Sequence, residues 1–112
     1  MKKLEIVIRP EKLPMLKMIF NNYDVGGAMF LKVSGYGKQK GIEYEYRGVR
    51  CFDSMISKTK AEVIVSDEMA EKLIDEILKV IPTGEAGDGK IFVSDISEVI
   101  RIRTGERNES AL

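Results

Sequence analysis

Residues 60–93, KAEVIVSDEMAEKLIDEILKVIPTGEAGDGKIFV, contain the clearest structural pattern in the chain. Ala61, Val63 and Val65 alternate with other side chains, as they do on the buried face of a strand. Ser66, a favourable N-cap residue, predicts the start of a helix. The apolar side chains of this helix are spaced by four, at Met69, Leu73, Ile77 and Ile81. Pro82 ends the helix, a glycine-rich turn follows, and residues 90–93 again resemble a strand.

The N-terminal half repeats this order of strand, helix and strand. Leu4, Ile6 and Ile8 alternate with polar and smaller residues, and Pro10 ends the strand that they predict. A helix is predicted over residues 11–21 and a second strand over residues 28–33. Residues 99–103 are predicted to extend the sheet or to return over it.

Two β-α-β units predict an α+β fold, the ferredoxin-like double βαβ with an antiparallel sheet. Helices on one face of such a sheet leave the other face uncovered. Assembly of three copies would cover it, although periodicity alone does not choose the symmetry.

Composition excludes several classes of function. The 112 residues suit one domain, and 18 basic and 18 acidic side chains balance to a net charge of zero. The chain has no histidine, which excludes histidine-based metal sites and Ser-His-Asp triads. It has one cysteine, which excludes a disulfide within the chain.

No apolar run reaches the length of a membrane span, so we expect a soluble cytoplasmic protein. Zero net charge and the lack of an aromatic-rich strand motif argue against an RNA-binding module. No nucleophile–base pair is evident, which argues against a small enzyme.

Two segments together indicate a site for a polyphosphate. Residues 82–90 form a glycine-rich turn whose backbone N–H groups could converge on an anion, although the spacing is not that of a Walker A motif. Arg101 and Arg103 are predicted to share one face of a strand-like segment, where an anion would relieve their repulsion. The alternative for residues 82–90 is a flexible turn without a ligand. The alternative for Arg101 and Arg103 is an exposed basic edge of the sheet.

The connection between the two halves, about residues 37–58, is long for so small a domain. It carries Tyr44, Tyr46 and Arg47, residue types enriched at protein interfaces. A partner-binding loop is therefore the favoured interpretation, and a solvated loop without a partner is the alternative.

Several motifs resemble the PII nitrogen-regulatory proteins. They are RPEKL at residues 9–13, GYGKQKG at 35–41, YRG at 46–48, TG at 83–84, GDGKIFV at 87–93 and VIRIRTGE at 99–106. The resemblance spans the chain, which implies a single PII-type domain over residues 1–112. Its T-loop would be at about 37–58, its phosphate turn at about 82–90 and its arginine segment at 99–106.

The resemblance implies a homotrimer that binds ATP or ADP in each cleft between subunits. Many members have a threonine near the adenine where this chain has Met29. By this resemblance, the nucleotide-binding residues would be Met29, Gly37, Lys38, Glu62, Ile64, Gly87, Asp88, Gly89, Lys90, Arg101 and Arg103.

The resemblance also implies that Mg²⁺ and ATP together recruit 2-oxoglutarate. Gln39 matches the ligand of the magnesium ion, and Lys58 matches the lysine that pairs with the far carboxylate of 2-oxoglutarate. The 2-oxoglutarate site would comprise Gly37, Gln39, Lys40, Gly41 and Lys58. The alternative is a PII-like regulator that binds only adenine nucleotides and controls a different transporter or enzyme.

The loop would bind partner proteins through Tyr44, Tyr46, Arg47 and Cys51. The implied function is regulatory, not catalytic, and the partner would be an ammonium transporter or an enzyme of nitrogen metabolism. Contact with a membrane would occur only through such a partner, and nucleic acid is not expected. Cys51 occupies the position of the tyrosine that many bacterial members have uridylylated, and Val49 that of a phosphorylated serine. We therefore expect no modification at these two positions.

Overall fold

The computed structural model describes residues 1–36, 43–52 and 55–112. In chain order the elements are β1 (Lys2–Ile8), a 3-10 turn (Pro10–Lys12), α1 (Leu13–Asn22), β2 (Met29–Tyr36), β3 (Glu43–Tyr46), β4 (Val49–Phe52), β5 (Met55–Val65), α2 (Asp67–Val80), β6 (Gly89–Asp95) and a 3-10 turn (Asn108–Ala111). No helix in these ranges combines the length and apolar character that crossing a bilayer requires.

The main sheet has the strand order β2-β5-β1-β6, and each neighbouring pair is antiparallel. Strand β1 lies between β5 and β6, so that Lys2 pairs with Val65 on one side and Asp95 on the other. With β3 and β4 in a separate hairpin, this is the strand order of the double βαβ arrangement. The predicted ferredoxin-like fold is confirmed.

The core lies between the sheet and the two helices. Alternate residues of β1 and β5 point into it, which confirms the faces assigned from the sequence. The sheet contributes Leu4, Ile6, Ile8, Ala61, Val63 and Val65, and the helices and their ends contribute Leu16, Ile19, Phe20, Ala70, Leu73, Ile77 and Ile81.

Helix α2 begins where the sequence predicts. The Ser66 hydroxyl accepts a hydrogen bond from the backbone N–H of Met69 at 3.2 Å, which satisfies one of the unpaired donors at the helix start. Helix α1, by contrast, begins at Leu13 and not at residue 11. Pro14 has no N–H to donate to the carbonyl of Pro10, so that carbonyl instead accepts from Leu13, and the chain forms a 3-10 turn first.

The sheet face opposite the helices, which we call the open face, carries both charged and apolar side chains. Lys3 lies 3.1 Å from Glu5 and 3.8 Å from Glu62, and Lys60 lies 3.2 Å from Glu62. Exposed apolar side chains on the same face include Met29, Leu31 and Phe92.

The long connection contains a hairpin and is shorter than expected. Strands β3 and β4 pair from Glu43–Phe52 to Tyr46–Val49. Arg47 and Gly48 form its two-residue turn with φ values of 51° and 78°, the left-handed conformation that such turns require. Strand β5 begins at Met55, so Lys58 lies in the main sheet and not in a loop.

Residues 99–103 do not form a strand that extends the sheet, so the first of the two predicted alternatives is wrong. Ile100 makes one isolated bridge, to Arg107, and residues 102–104 form a turn. The chain reverses here because Gly105 adopts a φ of 72°. Its backbone groups then bond locally, with the N–H of Arg101 donating to the carbonyl of Glu106 at 2.9 Å. Arg103 therefore lies on this turn with Arg101 directly before it, and the two arginines do not share a strand face.

Candidate functional site

The first candidate site is a cleft of about 520 Å³ at the end of the sheet where β6 begins. We call it the glycine-turn cleft. It brings together the predicted residues Lys58, Gly87, Asp88, Gly89 and Lys90. Its other lining residues, which sequence reasoning did not select, are Val7, Gly35, Tyr36, Ile56, Glu85, Ala86 and Phe92.

The carboxylate of Asp88 organises the glycine-rich turn. It accepts hydrogen bonds from the Thr83 hydroxyl at 2.5 Å and from the N–H groups of Thr83 and Gly84, each at 2.9 Å. The Thr83 hydroxyl bond, together with those from Arg9 and the two backbone groups, outweighs partial desolvation and lowers the pKa of Asp88 well below its ordinary value of 3.8. Since these bonds occupy both carboxylate oxygens, the side chain of Asp88 holds the turn in shape.

Arg9 clamps the same turn from the end of β1. Its Nε lies 3.1 Å from Asp88 Oδ1, and its Nη2 donates to the carbonyl of Ala86 at 2.7 Å. The sequence contains Arg9 within the RPEKL motif, but gives no sign of this role because 79 residues separate the two partners. Arg9 therefore neutralises Asp88 and holds the turn against the sheet.

Gly89 is required by the close approach of the turn to β1. Its φ is 106°, a conformation that side chains disfavour. A Cβ added at this position would lie 1.7 Å from the carbonyl oxygen of Val7. The turn can enter β6 at this register only with glycine.

Two lysines line the glycine-turn cleft, together with the acidic residues Glu85 and Asp88. Lys58 donates a hydrogen bond to the carbonyl of Gly87. Lys90 is exposed and pairs with Val7 across the β1–β6 ladder. Ammonium groups in such a cleft can bind phosphate or carboxylate oxygens.

A second cleft, of about 500 Å³, lies on the same chain and contains other predicted residues. We call it the C-terminal cleft. Its lining is Lys3, Gly26, Gly27, Ala28, Met29, Glu62, Ile64, Val99, Arg101, Ala111 and Leu112. Arg101 Nη1 lies 2.9 Å from Glu106 Oε1, and its Nη2 donates to the carbonyl of Leu112 at 3.4 Å. Arg103 is exposed on the adjoining turn.

The two clefts lie at opposite ends of β2 and β5. Gly35 pairs with Ile56 beside the first cleft, whereas Met29 pairs with Glu62 in the second. Six residues of strand separate Gly35 from Met29, which corresponds to about 20 Å. The predicted nucleotide-binding residues are therefore divided between two places on one chain.

The remaining predicted residues lie in or near the long connection. Gly37, Lys38, Gln39, Lys40 and Gly41 fall outside the described residues. The backbone places Tyr44, Tyr46 and Cys51 on the β3–β4 hairpin, with Arg47 at its turn. In the described ranges, no three His, Cys, Asp or Glu side chains converge on a point that could hold a metal ion.

Comparison with known proteins identifies the family. The family model described as "Nitrogen regulatory protein P-II" matches residues 1–106. Proteins named "Nitrogen regulatory protein P-II" from Pyropia yezoensis and Pasteurella multocida are 47% and 42% identical to this chain. "Nitrogen regulatory protein P-II 1" of Escherichia coli is 38% identical. Each match covers 112 residues, the whole of both chains. The resemblance expected from the motifs is confirmed, and the chain belongs to the P-II family of nitrogen regulatory proteins.

Proposed function

We propose that this chain is a trimeric regulator of nitrogen metabolism or transport that binds ATP or ADP between its subunits. It acts on partner proteins through its long loop and is not a catalyst. The family assignment supports the regulatory role in nitrogen control. The cytoplasmic location expected from the sequence stays a prediction.

The observation that carries this proposal is the division of the predicted nucleotide site between two clefts. Each chain contains one glycine-turn cleft and one C-terminal cleft, about 20 Å apart along β2. In a closed ring, a heterologous interface joins one surface of each copy to a different surface of the next. Such a ring of three copies would form three complete sites, each with one cleft from either neighbour.

The two clefts have complementary chemistry for an adenine nucleotide. The glycine-turn cleft offers backbone N–H groups and Lys90 to phosphate oxygens. The C-terminal cleft offers the apolar side chains of Met29 and Ile64 to a base, and Arg101 to the phosphates.

The open face supplies a second argument for assembly. Its apolar side chains, including Leu31 and Phe92, are exposed in the single chain. Its acidic and basic groups pair with each other at Lys3, Glu5, Lys60 and Glu62. A face with satisfied charges and exposed apolar area gains free energy when a second copy covers it.

The 2-oxoglutarate response is part of the same proposal. Lys58 lies in the glycine-turn cleft beside Gly87, where its ammonium group could pair with a carboxylate of the ligand. Gln39 would hold Mg²⁺ together with the ATP phosphates, and the backbone of residues 37–41 would bind the rest of 2-oxoglutarate. Ligands that share one metal should show positive and reciprocal coupling.

A calorimetric titration of 2-oxoglutarate into protein saturated with Mg²⁺ and ATP tests this response. We expect binding by the wild type, and its loss in Lys58→Met with ATP affinity largely kept. If wild-type protein saturated with Mg²⁺ and ATP does not bind 2-oxoglutarate, the protein is a regulator that binds only adenine nucleotides.

The nucleotide site itself is tested with the double variant Arg101→Ala/Arg103→Ala. Hydrogen bonds to charged groups contribute about 1.5–3 kcal/mol each, so we expect the loss of both arginines to lower ATP affinity by about 100-fold or more. The control Lys72→Ala/Lys79→Ala removes the same charge from exposed positions of α2 and should leave the affinity unchanged. Sedimentation equilibrium should show a trimer in both variants. Unchanged ATP affinity in the arginine variant would contradict the proposed site.

Partner binding would involve the β3–β4 hairpin, which carries Tyr44, Tyr46, Arg47 and Cys51. We expect an ammonium transporter or an enzyme of nitrogen metabolism to bind there. Affinity capture from native lysate, with ATP plus 2-oxoglutarate compared with ADP, would identify it. A bound protein unrelated to nitrogen metabolism would overturn this part of the proposal.

A further inference from the structure

The glycine-turn cleft contains two acidic side chains whose surroundings differ. The carboxylate of Asp88 lies 3.1 Å from Nε of Arg9 and accepts three further hydrogen bonds from the turn. Glu85 is exposed, and no lysine or arginine of the described ranges lies within ion-pair distance of its carboxylate. The chain therefore neutralises the charge of Asp88, whereas the described residues leave that of Glu85 in place.

The backbone of Glu85 belongs to the ordered part of the glycine-rich turn. Its N–H donates to the Thr83 hydroxyl at 3.1 Å, and that hydroxyl donates to Asp88 at 2.5 Å. The carbonyl of the next residue, Ala86, accepts a hydrogen bond from Arg9 at 2.7 Å. Because these bonds fix the backbone on both sides of residue 85, its charged side chain is anchored at the cleft that it lines.

A carboxylate in a site for a polyphosphate lowers the affinity for that ligand. Lys58 and Lys90 attract phosphate oxygens in the same cleft, and the charge of Glu85 opposes them. Groups that line one cleft of about 520 Å³ lie close to its occupant. Salt screens charges only beyond about 8 Å under physiological conditions, so the repulsion persists in solution. It also increases with the negative charge of the ligand, which allows selection by charge state.

We propose that Glu85 is a specificity-determining residue that makes the glycine-turn cleft select ATP with bound Mg²⁺ over free ATP. A bound Mg²⁺ cancels about half of the charge of the triphosphate, so that the Mg²⁺-bound form meets less repulsion from Glu85. Free ADP, which carries less charge than free ATP, is intermediate. This inference rests on the proposed function and adds to it the charge state of the nucleotide that the site accepts.

The test compares Glu85→Gln with the control Glu71→Gln, which removes the same charge from an exposed position of α2. Calorimetry measures the Kd for ATP with EDTA, for ADP with EDTA and for ATP with excess Mg²⁺. We expect Glu85→Gln to bind free ATP about three- to fivefold more tightly than the wild type does. The gain should be smaller for free ADP and smallest for Mg²⁺-bound ATP. Glu71→Gln should resemble the wild type with all three ligands.

Two further measurements distinguish an electrostatic effect from a structural one. Glu85→Asp keeps the charge and should keep the wild-type preference for Mg²⁺-bound ATP. Raised salt should reduce the difference between Glu85→Gln and the wild type, because added ions screen the repulsion. A difference that does not change with salt would contradict the proposed mechanism.

The sign of the effect also decides between repulsion and metal binding. If Glu85→Gln weakens the binding of Mg²⁺-bound ATP and leaves that of free ATP unchanged, Glu85 is a ligand of the ion and the proposal is wrong. Equal changes for all three ligands, or no change, would overturn it as well, since an altered turn would affect every nucleotide alike.

Inorganic tripolyphosphate separates this inference from the proposed function, because it carries the charge of the triphosphate without the base. If the wild type binds tripolyphosphate but not ATP, the proposed function fails, and tighter binding of free tripolyphosphate by Glu85→Gln still supports the inference. If ATP binds as proposed but Glu85→Gln leaves the effect of Mg²⁺ unchanged, the inference alone is refuted. A wild type that binds neither ligand refutes both.

Discussion

Replacing Gly89 with alanine should disrupt the entry of the chain into β6. The added Cβ would lie 1.7 Å from the carbonyl oxygen of Val7, whereas ordinary contacts begin near 3.4 Å. One of the two backbones must therefore retreat by about 1.7 Å. Val7 pairs with Lys90 and Ile8 pairs with Gly89, so this movement breaks the β1–β6 ladder at its end.

The cost has two parts that a control variant separates. Alanine in a left-handed conformation costs about 1–2 kcal/mol. The retreat of the ladder adds about 1–2 kcal/mol through weakened hydrogen bonds, so Gly89→Ala should destabilise the protein by about 2–4 kcal/mol. Gly84 has a φ of 88° and open space where its Cβ would be placed. Gly84→Ala should therefore show only the backbone cost.

Urea denaturation followed by circular dichroism measures both variants, at one protein concentration because assembly shifts apparent stability. ATP titration of the same samples measures how each substitution in the glycine-rich turn changes the affinity for ATP. We expect Gly89→Ala to lower both the free energy of unfolding and the ATP affinity more than Gly84→Ala does. Equal destabilisation by the two variants would show that the close approach to Val7 does not constrain the turn.

Three further predictions concern the turn and the loop. The pKa of Asp88 is lowered in the folded chain, so its stabilising effect is present above pH 3.8 and is lost as the pH falls below that value. Acid denaturation of Asp88→Asn should accordingly depend less on pH below about 4 than that of the wild type, and identical acid profiles would contradict this. Arg9→Lys should weaken ATP binding several-fold because lysine cannot reproduce the two directed bonds to Asp88 and Ala86; calorimetry that shows wild-type affinity would refute it. Intact-mass spectrometry of protein from nitrogen-starved and nitrogen-replete cells should find no nucleotidyl or phosphoryl group on residues 37–58, since Cys51 and Val49 lack the usual hydroxyl groups. A mass increment that maps to this segment would disprove that expectation.

Local patterns in the sequence were sufficient for most of the fold. The alternation of Leu4, Ile6 and Ile8 assigned the buried face of β1, because adjacent side chains in a strand point to opposite faces. Ser66 located the start of α2, because an N-cap acts through a hydrogen bond only three residues long. The motif spacing indicated the family, which the comparisons confirm.

Short-range patterns failed where the backbone had competing local partners. Residues 99–103 contain strand-forming side chains, yet they form a turn because Gly105 reverses the chain and Arg101 bonds to Glu106. The start of α1 shifted because Pro14 removes the donor that a regular first turn needs. Side-chain type at these positions favours one structure, and backbone hydrogen bonding selects another.

The sequence alone determined most of the helices and strands of the main sheet, which faces β1 and β5 bury and which family the chain resembles, since these depend on residues close together in the chain. Tertiary structure alone decided that Arg9 clamps Asp88 across 79 residues and that Gly89 touches Val7. It also placed Gly87 and Met29 in separate clefts of one chain. These facts depend on strand register and on the order β2-β5-β1-β6, which bring distant residues together or hold them apart. No periodicity within a single segment carries that information.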